Sequence, residues 1–138
     1  MSKIIGIDLG TTFSAIAQLD DLGNPEVLAS TDSNKKITAS AVYIKNNNVV
    51  VGDKALDALI ATPNNVITET KRQMENDSVY SVEAGKWIDK DENNKENFSP
   101  AQISSFILSK LKNYTSDVKK AVITVPALFP EKARVATL

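Results

Sequence analysis

The sequence contains no cysteine and no histidine. Without cysteine there is no disulfide and no thiolate metal site. Without histidine the usual general base and the usual zinc ligand are gone. Any catalysis must then rest on carboxylates, lysine, hydroxyls and a bound metal. An excess of one charge is also lacking. The 16 basic and 17 acidic residues leave a net charge of -1, which makes no electrostatic case for nucleic acid or an anionic membrane. No run is long and apolar enough to span a bilayer. The start enters a strand-like run directly, without the basic leader and apolar stretch of a signal peptide. The cytoplasm is the expected compartment.

What is there suits a folded protein. At 138 residues, 42% hydrophobic and 24% charged, the chain can build a core for one domain or one lobe of a larger one. The most informative stretch is the first: Ile4-Ile5-Gly6-Ile7-Asp8-Leu9-Gly10-Thr11-Thr12-Phe13-Ser14. It reads as strand, tight turn, strand, with the polar chemistry at the tip. Asp8 interrupts an apolar strand, where an unpaired charge is costly, so it calls for a partner or a cation. Gly10 lets the backbone bend and approach a ligand closely. Successive N–H groups in such a turn converge on a phosphate, and threonine hydroxyls add donors. A phosphate clamp and a plain hairpin with a backbone-bonded aspartate both fit the residues. The Gly-Lys-Ser/Thr signature that opens a helix is missing, which argues against a P-loop.

Further along, 20–25 is a turn around Gly23, followed by a short third strand at 26–29 and a polar loop at 30–36. Strand-like runs at 41–44 and 49–51 flank three asparagines, giving a second hairpin. Asp53 is expected to cap a helix with Leu56, Leu59 and Ile60 on one face, stopped by Pro63. The segment 64–74 is ambiguous and ends near the basic pair Lys71-Arg72, which by itself reads as a solvated pair. A small hairpin spans 79–88, turning near Gly85, and 89–97 reads as an exposed loop. Ser99-Pro100-Ala101-Gln102 is the clearest helix start, with a capping box and proline in the first turn. Ile103, Phe106, Ile107, Leu111 and Tyr114 then form one apolar stripe. The run Ala121-Val122-Ile123-Thr124-Val125 reads as a buried-type strand ended by Pro126. A new helix pattern begins at Pro130 and is still running at Leu138, so the chain is expected to be a fragment of a longer protein.

The opening motif resembles the first phosphate motif of the Hsp70 chaperone family, in its bacterial, DnaK-like branch. Lys71-Arg72, Ser99-Pro100-Ala101-Gln102-Ile103-Ser104 and Ala121-Val122-Ile123-Thr124-Val125-Pro126-Ala127 with Arg134 resemble later segments in the same order. The resemblance implies an α/β fold of the actin-like ATPase (ribonuclease H-like) type, a mixed β-sheet with flanking helices. Residues 1–138 would be the N-terminal part, lobe I, of the nucleotide-binding domain. It implies ATP or ADP with Mg²⁺, and allows K⁺ beside it. Gly10, Thr11, Thr12 and Phe13 would meet the β- and γ-phosphates. Asp8 would act through water on the metal, and Lys71 would sit by the γ-phosphate as the catalytic lysine. Pro126 and Arg134 would relay nucleotide state to a substrate domain.

The implied partners of the full-length protein are unfolded polypeptides, a J-domain protein and a nucleotide exchange factor. The segment alone is expected to lack ATPase activity, because the second lobe is missing. Ala39-Ser40 stands where the family usually has Pro-Ser, Leu128 where it usually has tyrosine, and Pro130 is unusual. These departures bear on the relay more than on nucleotide binding. Two alternatives share the opening motif's appearance: a sugar or acid kinase of the same superfamily, and a non-catalytic actin-like module. The Thr11-Thr12, Lys71-Arg72 and Val125-Pro126 pairs favour the chaperone.

Overall fold

The computed structural model describes residues 3–30, 34–46, 48–73, 78–89, 97–116 and 118–123. Pro126, Arg134, Leu128 and Pro130, with the helix pattern that begins there, lie outside the described residues, as does 90–96 of the charged loop.

Alternation sets the first sheet. β1 (Lys3–Leu9) turns Ile5, Ile7 and Leu9 inward and leaves Ile4 and Asp8 exposed. β2 (Phe13–Leu19) runs antiparallel to it and buries Ser14 and Ile16. In the following turn the Asp20 Oδ1 accepts from the N–H groups of Leu22 and Asn24, both at 2.9 Å. β3 (Pro25–Val27) then pairs with β2. β4 (Thr38–Ala39), which the sequence does not announce, pairs with the start of β2.

β5 (Val42–Lys45) and β6 (Asn48–Val51) form the expected second hairpin, with Asn46 in the left-handed region at φ 50. α1 (Asp53–Asp57) is shorter than expected, and its cap is Gly52 at φ 100, with no side-chain capping bond. Asp53 pairs instead with Lys35 at 3.2 Å. After Asp57 the chain tightens: the N–H groups of Ala58 and Leu59 bond three residues back, to Ala55 and Leu56. That leaves Leu59 exposed, and Ile60 is 96% exposed rather than part of a buried face.

The ambiguous segment is not an α-helix. It is a 3-10 turn (Pro63–Asn65), a two-residue β7 (Val66–Ile67) paired with β5, and a second 3-10 turn (Thr70–Gln73). β-Branched Val66 and Ile67 are both buried, which is where such residues suit a strand best. β8 (Ser78–Ser81) and β9 (Lys86–Asp89) make the small hairpin, with Tyr80 edge-on to Trp87 at 5.5 Å.

α2 (Pro100–Lys112) begins as the sequence predicts, with both halves of the capping box formed. Its stripe Ile103, Ile107 and Leu111 is buried against Ile5, Ile7, Ile16, Val42 and Ile67 in one core. Each such side chain contributes about 1.5–3 kcal/mol by leaving water. β10 (Val118–Ile123) closes the described chain as a parallel neighbour of β1. The sheet is therefore mixed, in the order β10-β1-β2-β3 with β4 also on β2. Among the described residues β10 has a strand neighbour on one side only, β1, and Val122 is 64% exposed; Thr124 and Val125 of the expected buried strand lie outside the described residues. No helix among the described residues is long and apolar enough to cross a membrane.

Candidate functional site

The turn between β1 and β2 lies at one end of the mixed sheet. Asp8 pairs with Ala15 and Leu9 with Ser14, and Gly10, Thr11 and Thr12 bridge the two strands. Gly10 is there for space. A Cβ added at Gly10 would collide with the carbonyl oxygen of Phe13, so the turn closes only around a hydrogen. Among the described residues, the N–H groups of Thr11 and Thr12 donate to no backbone carbonyl, and their hydroxyls have no hydrogen-bond partner. Two amides and two hydroxyls thus stand at the tip for an anion to take.

One expectation about this turn is corrected. Asp8 does not occupy an apolar interior; alternation puts it on the exposed face of β1, so burial does not force a partner on it. Phe13 is 48% exposed. Gly10, Thr11, Thr12 and Phe13 are brought together as one accessible tip.

Lys71 joins this group from far along the chain. It stands on the 3-10 turn Thr70–Gln73, which packs against α2. Burial lowers the pKa of Lys71 from the ordinary lysine value, and the Asp8 carboxylate partly offsets that. The carboxylate of β1 and the ammonium of the second turn therefore belong to one electrostatic neighbourhood. Arg72 points elsewhere: it is exposed and pairs with Glu69 at 3.4 Å. Glu69 itself is left-handed at φ 57, and the neighbouring Thr70 is buried with no partner for its hydroxyl among the described residues. Lys71 thus sits on a tightly turned piece of backbone packed against α2.

Sequence reasoning missed the support beneath the turn. The Ser40 N–H donates to the Thr12 carbonyl at 2.8 Å, and the hydroxyls of Ser14 and Ser40 share a buried hydrogen bond of 2.7 Å. A signal was present: in the alternation of β2, Ser14 falls on the inward face with Ile16, and an inward hydroxyl needs a partner.

A metal at this end would find one described carboxylate, Asp8. No group of three or more acidic side chains that could hold an ion exists among the described residues. Such a site suits Mg²⁺ carried mainly by phosphate oxygens and water, which takes only one or two carboxylates from the protein.

Comparison with known proteins shows the family. A family model described as Hsp70 protein matches residues 4–138. The chain belongs to the Hsp70 family. One curated Hsp70 relative, the chaperone protein DnaK of Mycoplasma mobile, is 42% identical over 140 residues, covering 98% of this chain. The chain spans about a fifth of the length of that relative, 21%. The Hsp70 nucleotide-binding domain has the actin-like ATPase fold, and the mixed sheet with its packed helix agrees with it.

Proposed function

We propose that this chain is the N-terminal part of lobe I of an Hsp70 nucleotide-binding domain, and that its β1–β2 turn holds the β- and γ-phosphates of ATP. The observation that carries the reading is the turn: Gly10 packed without room for a Cβ, donors on Thr11 and Thr12 that have no partner among the described residues, and Lys71 within electrostatic reach of Asp8. Thr11, Thr12 and the backbone of Phe13 donate to phosphate oxygens. Asp8 would hold Mg²⁺ through water, and the metal would supply charge neutralisation when bound; K⁺ beside it is part of the same proposal. Lys71 places its ammonium at the γ-phosphate and orients the attacking water. Phosphoryl transfer to water is mostly positioning and charge stabilisation, so the absence of histidine is no obstacle.

In the full-length protein, ATP binding and hydrolysis would control capture and release of unfolded polypeptides, with a J-domain protein and a nucleotide exchange factor as partners. Pro126 and Arg134 are proposed to relay the nucleotide state, and the cytoplasm is the compartment this reading expects. The test is an ATP turnover assay on the full-length protein with an unfolded peptide. Peptide-stimulated release of phosphate supports the chaperone. Transfer of the phosphoryl group to a sugar or acid would replace it with a kinase.

A further inference from the structure

β4 has a role that its two residues would not suggest. Thr38 and Ala39 pair with Ser14 and Phe13, which brings Ser40 under the tip of the β1–β2 turn. There Ser40 makes two contacts at once. Its N–H donates to the Thr12 carbonyl at 2.8 Å, and its hydroxyl bonds that of Ser14 at 2.7 Å. Ser14 is 2% exposed and Ser40 4%, so water cannot replace either partner. The segment is fixed from behind as well: the hydroxyls of Thr38 and Tyr114 meet at 2.9 Å, and the Gly52 N–H donates to the Ala41 carbonyl at 3.0 Å. The turn is thereby tied to the second sheet and to the end of α2.

We propose that Ser40 is a positioning residue for phosphate binding, acting through Ser14 and Thr12 rather than touching the ligand. With the Thr12 carbonyl engaged from below, the trans peptide unit it shares with Phe13 holds the Phe13 N–H toward the open side. The Ser14–Ser40 bond fixes the strand end that follows. This rests on the nucleotide reading above, and it adds a clasp that sets how well formed the turn is before any phosphate arrives. Such pre-organisation strengthens binding by lowering the ordering cost.

The test uses the full-length protein in three forms: wild type, Ser40→Ala, and Ser14→Ala with Ser40→Ala. The single change strands a buried hydroxyl, whereas the double change removes both, so much of the thermal stability lost in the first returns in the second. ATP affinity should fall about tenfold in both variants, the scale of one hydrogen bond's net worth. Adenosine affinity should hold, because it does not use the turn. Amide hydrogen exchange at position 40, whose buried N–H donates to the Thr12 carbonyl, should be faster in both variants without ligand. Unchanged exchange, or equal losses of ATP and adenosine, would overturn the proposal. A wild type that binds no ATP would sink the nucleotide reading, and the exchange comparison would still decide the clasp.

Discussion

Asp8 on β1 supports the charge of Lys71, which a separate 3-10 turn delivers to the same end of the sheet. Burial draws the lysine's pKa down from 10.5, and the carboxylate pulls it part of the way back. Removing that carboxylate with Asp8→Asn should lower the Lys71 midpoint further. An NMR titration of the labelled lysine side chains reads this directly. A Lys71 midpoint that does not move would separate the two residues.

The same shift has a consequence for stability. The folded value lies below the unfolded one, so between them the unfolded chain binds more protons and stability rises with pH. Below the folded value, the charged, partly buried ammonium is a standing cost. Lys71→Met should therefore raise the melting temperature at neutral pH, with the gain shrinking as the pH approaches 10.5. A loss of stability at neutral pH would contradict the burial argument.

Lys71 also carries the proposed chemistry. In the full-length protein, Lys71→Ala should leave ATP binding nearly intact and slow single-turnover hydrolysis by about 10²–10³, the usual effect of deleting one stabiliser of transition-state charge. Undiminished single-turnover hydrolysis would remove Lys71 from the mechanism.

Asp8→Asn should weaken the Mg²⁺ dependence of ATP binding. A titration of the metal at fixed ATP shows it as a shift of the midpoint to higher Mg²⁺. Superimposable titrations would make Asp8 a structural residue only.

Tyr80 offers a test of the fold away from the site. Its hydroxyl reaches the Asn64 and Val66 carbonyls at 3.1 and 3.3 Å, joining the β8–β9 hairpin to the segment that leads to Lys71. Tyr80→Phe leaves those carbonyls without that donor and should cost about 1–3 kcal/mol, measured by denaturant unfolding. Burial raises the Tyr80 pKa above 10.0, so its contribution is intact below the unfolded value and is lost as the pH climbs through the folded one. A neutral Tyr80→Phe change would show that the hydroxyl does not join these segments.

Local signals carried the parts of the fold that are locally determined. The capping box at Ser99 and Gln102 and the stripe Ile103, Ile107 and Leu111 predict α2, because both depend on near neighbours. The opening hairpin was legible for the same reason. What the sequence hides is set by distant partners. Lys71 reads as solvated until the second 3-10 turn sets it near Asp8. β4 is two residues long and exists only because β2 offers it an edge. Helix propensity misled at 58–60, where backbone bonds three residues back turn Ile60 outward. The run 121–125 reads as buried because it is mostly apolar, yet among the described residues β10 has a strand on one side only.

The central claim is that the turn around Gly10 grips nucleotide phosphate. Equilibrium titration of full-length wild type and Gly10→Ala with Mg²⁺-ATP tests it most directly. A methyl group at Gly10 must displace the Phe13 carbonyl and open the turn. ATP affinity should fall by about tenfold or more, the loss of one or more charge-assisted hydrogen bonds, while adenosine affinity holds; the contact with backbone also lowers the melting temperature of the unliganded protein. Equal ATP affinity in the two proteins would contradict the account.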